Sequence, residues 1–297
     1  MSAKNCFPEN PEKLRPPVAN TAFGCPRDYL DNRFVYVVFS PRAHGLAVGI
    51  NMSPTKRCNF ECVYCEVDRN KPPVETELDV FVMAEELQKT LFLLRSRGIR
   101  ERAPYHALSE TLLTLRHVAF SGDGEPTLSP IFAEAIQAVV HVRARNPHDF
   151  FKMVLLTNGT GLDTPPVQNS LKYFTSEDEI WVKLDAGSQE YMDRVNHSVV
   201  ALERVMQNIL LLGRQRPVIV QSLFPVIDGQ EPPDEEIDHY IQRLNQLKDG
   251  GAHIALVQIY SATRPAACPD CGHLPLRSLS LISHRIKSET GLRAEVF

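Results

Sequence analysis

No apolar run in the 297 residues approaches the length of roughly 20 that crosses a bilayer. The opening stretch, Met1 to Asn20, is polar and rich in proline and lacks the basic start and apolar core of a secretory signal, so a cytoplasmic protein without membrane attachment is expected. Charge of one sign is also lacking. Thirty-two lysines and arginines stand against 36 aspartates and glutamates, a formal net charge of −4, and no global basic field attracts a nucleic acid backbone. A local basic rim would still suffice for RNA. Internal repeats and low-complexity segments are absent. The seven cysteines do not form a disulfide pattern, and three of them are bunched, which suits a reducing compartment.

The bunched three are Cys58, Cys62 and Cys65, in Cys58-Asn59-Phe60-Glu61-Cys62-Val63-Tyr64-Cys65. Thiolates bind iron–sulfur clusters, and three thiolates on a four-iron cube leave one iron open for chemistry. Structural zinc usually takes four protein ligands, and no fourth cysteine lies nearby.

Around this stretch the chain alternates strand and helix patterns. Residues 1–33 carry Pro8, Pro11, Pro16, Pro17 and Pro26 and are expected to form an extended arm. Residues 34–39 are β-branched and aromatic, a short strand. Parallel strands are then expected at 46–52, 117–121, 153–157, 180–185, 217–222 and 253–259. A helix capped by Asp79 has apolar residues at helical spacing until Gly98. Further helices are expected over 130–145, 201–214, 233–247 and 276–290, with 100–114 as a long loop and 293–297 as a last strand. Six such alternations suit right-handed crossovers, and the fold expected is α/β, a partial (β/α)6 TIM-like barrel over 34–297 with a short C-terminal extension. A two-domain doubly wound fold would not gather the unusual residues at one mouth, where parallel barrels keep their working groups.

Those residues follow strand ends. Gly122, Gly124, Glu125 and Pro126 form a glycine-acid turn; backbone at such a turn can approach a ligand closely, or it can be an ordinary strand-to-helix connection. Asn158 is a ribose or carboxylate ligand, or half of an Asn-Gly turn. Lys183 and Asp185 alternate on one strand face as site residues or as a structural ion pair. Ser222 ends the fifth strand. Arg42, His44 and Arg264 are candidate contacts for an anionic substrate. Cys268 and Cys271, in a C-x2-C pair followed by His273, either join Cys6 and Cys25 in a second metal site or are free thiols.

Together these residues resemble the radical S-adenosylmethionine (SAM) enzymes. The resemblance covers about Ser40 to Phe297 and is nearest to the branch related to the tRNA-modifying wyosine synthases. It rests on the cysteine motif, Gly49-Ile50-Asn51-Met52-Ser53-Pro54 before it, Ser121 to Leu128 (S-G-D-G-E-P-T-L), Lys183-Leu184-Asp185-Ala186 and Thr263-Arg264-Pro265. It implies a [4Fe-4S] cluster on Cys58, Cys62 and Cys65, with SAM chelating the open iron. The implied chemistry is reductive cleavage to a 5'-deoxyadenosyl radical that takes hydrogen from a substrate, the hard step belonging to the cofactor. It further implies that the glycine-acid turn holds the methionine amino group, that Tyr64 stacks near adenine, and that Asn158, Lys183, Asp185 and Ser222 meet SAM. A reductase or flavodoxin-type protein would supply electrons.

The substrate stays open among a small molecule, a peptide and RNA. Wyosine synthases carry three further cysteines shortly upstream, whereas this chain has only Cys6 and Cys25 there, at different spacing. A tRNA-base reaction of wyosine type and a non-catalytic iron–sulfur or zinc protein on the same barrel are the alternatives.

Overall fold

Among the described residues ten strands and seven helices follow from the alternation of buried apolar runs with amphipathic segments. The structure, a computed structural model, describes residues 27–103, 105–145, 150–262, 266 and 270–297. Its strands are β1 (Val35–Ser40), β2 (Gly45–Asn51), β3 (Leu115–Ser121), β4 (Lys152–Thr157), β5 (Glu179–Lys183), β6 (Val218–Leu223), β7 (Pro225–Ile227), β8 (Ile254–Tyr260), β9 (Cys271–His273) and β10 (Ala294–Val296). The helices are α1 (Val80–Arg95), α2 (Phe132–Arg145), α3 (Pro165–Leu171), α4 (Gln189–Asn196), α5 (Leu202–Gly213), α6 (Asp234–Asp249) and α7 (Leu276–Thr290).

Eight strands form one sheet in the order β1-β2-β3-β4-β5-β6-β8-β10, parallel except for β1, which runs antiparallel to β2. The expected partial barrel is therefore an open sheet whose two edges, β1 and β10, do not pair. Its curvature nevertheless brings far edges near: the His44 ring, in the turn between β1 and β2, lies 6.3 Å from the Phe297 ring. All six parallel strands expected from the sequence form, as does the C-terminal strand.

Period-2 alternation divides each strand between two environments. On β3, Val118 and Phe120 join the large core under the helices, whereas Ala119 packs with Val154, Trp181 and Ile219 on the concave side. The helices bury one stripe each; on α1 this includes Met83, Leu87 and Leu94, and the Asp79 side chain accepts from Phe81 N and Val82 N at its start.

Three features differ from the sequence expectation. Residues 100–114 include a short 310 turn, Tyr105–Ala107, and bury Tyr105 and Leu113, so this stretch is packed rather than a free loop. The far end of the arm is tied down as well, because Asp28 and Val37 exchange backbone hydrogen bonds of 2.9 and 2.7 Å. A two-stranded sheet of β7 and β9, not anticipated, places Cys271 opposite Ile227.

Candidate active site

The loop leaving β2 carries all three clustered cysteines to the C-terminal ends of the parallel strands. Cys58, Cys62 and Cys65 are half-buried free thiols that line one cavity of about 350 Å3, together with the turn after β3, Thr157 at the end of β4, Asn158 after it, and Lys183 on β5. Backbone bonds hold this loop to the end of α4: Glu61 N donates to Asn196 O (2.9 Å) and Val63 N to Val195 O (2.9 Å). The Asn196 side chain adds an N–H to Cys62 Sγ at 3.3 Å. Nothing in the sequence singled out Asn196, since it ends a helix and not a strand.

The glycine-acid turn spends its glycines on the protein itself. A Cβ on Gly124 would come within 2.0 Å of the Arg57 carbonyl oxygen, and Gly122 has φ +127° against Asn51. Glu125 N donates to that same Arg57 oxygen at 3.0 Å. So the turn is pressed onto the residue preceding Cys58, and close backbone approach is needed for docking the cysteine loop. The Glu125 side chain is buried and accepts from Thr127 N (3.1 Å), Thr127 Oγ1 (2.7 Å), Thr157 Oγ1 (2.5 Å) and Asn158 N (2.7 Å). Burial raises its pKa, opposed by those donors. With four donors it acts as a rivet between the β3 turn and the end of β4. Pro126 begins the short turn that follows and lines the cavity.

Asn158 bridges back to the cysteine loop. Its Nδ2 donates to Asn59 Oδ1 at 2.7 Å and its Oδ1 accepts from Thr160 N and Oγ1 at 3.1 and 2.7 Å. Asn51 and Asp123, both missed from sequence, lock in a two-way exchange: Asn51 Nδ2 donates to Asp123 Oδ2 (2.8 Å) and Asp123 N to Asn51 Oδ1 (3.0 Å). Arg27 pairs with Asp123 at 2.5 Å.

Lys183 and Asp185 are divided by the end of β5. Lys183 lines the cavity, with Nζ 2.8 Å from Tyr64 Oη and 4.4 Å from the Tyr64 ring centre. Asp185 is buried behind Tyr64, where it accepts from Tyr64 Oη, Asn196 Nδ2 (2.9 Å) and Leu223 N (2.9 Å). Asp185 is thus a partner of the cysteine loop and does not line the cavity. Tyr64 lines it while anchoring the loop through its hydroxyl. Ser222 is likewise turned away: it is buried on the helix side of β6, bonded to Tyr240 Oη, and its neighbour Gln221 lines the cavity instead. The odd and even positions of a strand face opposite ways, and on β6 it is Gln221, not Ser222, that faces the cavity.

Of the candidate substrate contacts, Arg42 lines the cavity, His44 does not, and Arg264 lies outside the described residues. Cys6, Cys25 and Cys268 also lie outside them, and Cys271 is half-buried on β9.

The residues present suit a thiolate-held cluster. Three uncrosslinked cysteines from one loop share a cavity wall, and the Arg69 guanidinium, four residues after Cys65, lines the same wall beside Cys58 and Cys65. Burial pushes the Cys62 thiol up to about 12, with the nearby Lys183 ammonium opposing the shift. A bound metal would overcome that penalty by taking the thiolate form. Among the described residues no three His, Cys, Asp or Glu side chains are grouped to hold a single ion.

The comparisons with known proteins agree with this geometry. A family model described as the Radical SAM superfamily matches residues 52–244. A UPF0026 protein of Helicobacter pylori is 28% identical over 238 residues, covering 78% of this chain and 68% of that protein. The S-adenosylmethionine-bound structure of SuiB from Streptococcus suis has a similar fold, with a TM-score of 0.57 at 12% identity over 86% of this chain and 51% of that one. A structure of TYW1 with a lysine-pyruvate adduct bound gives a TM-score of 0.54 at 16% identity, covering 86% of this chain and 84% of that one. The chain spans about half the length of SuiB. Among the described residues no helix is long and apolar enough to cross a membrane.

Proposed function

The chain belongs to the radical SAM superfamily, and on that premise we propose that it is an enzyme that holds a [4Fe-4S] cluster on Cys58, Cys62 and Cys65 and uses SAM to open a C–H bond of its substrate. The observation that carries this reading is the convergence of those three thiols, the glycine-acid turn, Asn158 and Lys183 on one cavity. Residues 34–297 act as the catalytic unit, with 1–33 as its arm.

Cys58, Cys62 and Cys65 would hold the cluster, which would supply the electron for reductive cleavage of SAM, with a reductase or a flavodoxin-type protein as the donor. The product of that chemistry, once hydrogen is taken from the substrate, would be 5'-deoxyadenosine. This chain's residues bind, orient and shield. The packing of Gly124 on Arg57 and the Glu125 bonds fix the cysteine loop and the ends of β3 and β4 in one rigid unit. Lys183 puts a cation beside the Cys62 thiol, where it would meet SAM, while Asp185 and Asn196 hold Tyr64. Such pre-set groups lower the cost of reorganisation during reaction.

The test is iron content after anaerobic reconstitution of the full chain, paired with a dithionite-driven assay for 5'-deoxyadenosine, on wild type and Cys62→Ala. About four irons per chain and product lost in the variant are expected. About eight irons would add a second cluster on the remaining cysteines. Zinc without SAM cleavage would overturn the enzyme reading.

A further inference from the structure

Among the described residues four lysine or arginine side chains line the cavity, and three have partners. Arg27 pairs with Asp123, Lys183 donates to Tyr64, and Arg69 has the Cys58 and Cys65 thiols beside it as electrostatic partners. Arg42 differs. Among the described residues no carboxylate or carbonyl accepts from it, and its Nε is buried with no hydrogen-bond partner. What surrounds its guanidinium is aromatic: the central carbon lies 4.5 Å from the Tyr260 ring centre and 5.9 Å from that of Trp181. Arg216, whose Nε is also unpaired, satisfies its other nitrogens on the carbonyls of Phe174, Thr175 and Asp178.

Arg42 is half-buried, and its Nε, closed off from water without an acceptor, carries an uncompensated desolvation cost that an incoming oxyanion relieves. Its planar fork matches a carboxylate or a phosphate with two parallel bonds, and aromatic faces leave that fork free to point forward. Position fits this use. Arg42 stands in the turn before β2 and the cysteine loop leaves after β2, so the two border the same cavity from opposite ends of one strand. A molecule anchored at Arg42 therefore extends along the concave face toward the thiols.

We propose that the Arg42 end of the cavity is a substrate subsite for an oxyanion, carboxylate or phosphate, on a small molecule whose adjoining flat or apolar part packs on Trp181 and Tyr260. Calling the bound molecule a substrate rests on the radical SAM reading. The binding itself does not.

Trp181 is the one tryptophan of the chain and so reports directly on this site. The full chain, without cluster or SAM, is titrated with benzoate, inorganic phosphate and the neutral benzamide at constant ionic strength, and Trp181 emission is followed. Saturable change with benzoate or with phosphate is expected, and the probe that saturates at lower concentration identifies the anion as carboxylate or phosphate. Arg42→Gln weakens that binding by about tenfold or more, corresponding to about 1.4 kcal/mol, and Arg42→Lys by less. The proposal fails if neither anion saturates, if benzamide binds as well as benzoate while phosphate does not saturate, or if Arg42→Gln retains wild-type affinity. Should Arg42→Gln not fold, Arg42→Lys carries the test: affinity unchanged from wild type on loss of the planar fork overturns the bidentate site. Loss of 5'-deoxyadenosine formation with anion binding intact would overturn the radical SAM reading alone.

Discussion

Gly124 and Arg57 meet so closely that a single added methyl group would lie 2.0 Å from the Arg57 carbonyl oxygen. The contact ties the turn after β3 to the residue before Cys58, and Glu125 N closes it with a bond to the same oxygen. Because the obstacle is backbone, relief requires that the turn or the cysteine loop move.

Gly124→Ala is therefore expected to lower stability by about 1–3 kcal/mol, the range for overpacking, and to impair iron retention. Urea unfolding together with iron content after desalting checks it. Full iron loading in a folded variant would separate the turn from the cysteine loop.

Glu125→Ala removes the acceptor for four donors at once and is expected to cost about 3 kcal/mol or more, since buried unpaired donors cost about 1–3 kcal/mol each. Glu125→Gln keeps one acceptor oxygen and should fall between the two. Urea midpoints at matched slope decide the order, and SAM affinity should follow it because Asn158 N loses its anchor.

Asn196 acts on Cys62 as a positioning residue, with an N–H 3.3 Å from Sγ. Hydrogen bonds to cluster sulfurs raise reduction potential, so Asn196→Leu is expected to lower the midpoint potential of the reconstituted cluster. A redox titration followed by electron paramagnetic resonance measures this; an unchanged potential with intact cluster would reduce Asn196 to a packing role.

His117 sits on the concave face at 5.3 Å from Trp181, and burial, with Lys152 and Arg42 nearby, holds its pKa down at about 3 from an ordinary 6.5. Between these values the unfolded chain binds a proton that the native chain excludes, so stability falls as pH drops from about 6.5 towards 3. His117 contributes up to about 1.4 kcal/mol per pH unit to that fall. His117→Phe should flatten the acid limb of stability measured by urea unfolding across this window and leave the slope above pH 7 unchanged. An unaltered limb would mean that His117 is accessible to protons in the native state.

Much of the fold was legible because parallel strands buried on both faces read as short, largely apolar runs, as in β2 and β4, and because helices between them keep a 3.6-residue stripe. The helix start at Asp79 followed from a local bond, and local bonds are written in neighbouring residues. Short elements such as α3 and α4 escaped, since seven or eight residues give little periodicity. The same holds for the pairing of β7 with β9, which depends on chain segments more than 40 residues apart.

For the site, sequence by itself determined the chemistry: three thiols at fixed spacing, a glycine-acid turn and a lysine at a strand end are properties of residue type and order. Tertiary structure alone decided direction and partnership. It turned Ser222 and Asp185 away from the cavity, brought Asn196 to Cys62, and left Arg42 among rings without an acceptor. The physical reason is that a strand's alternation says two faces exist, while the register and curvature of the sheet choose which face is concave and what stands across from it.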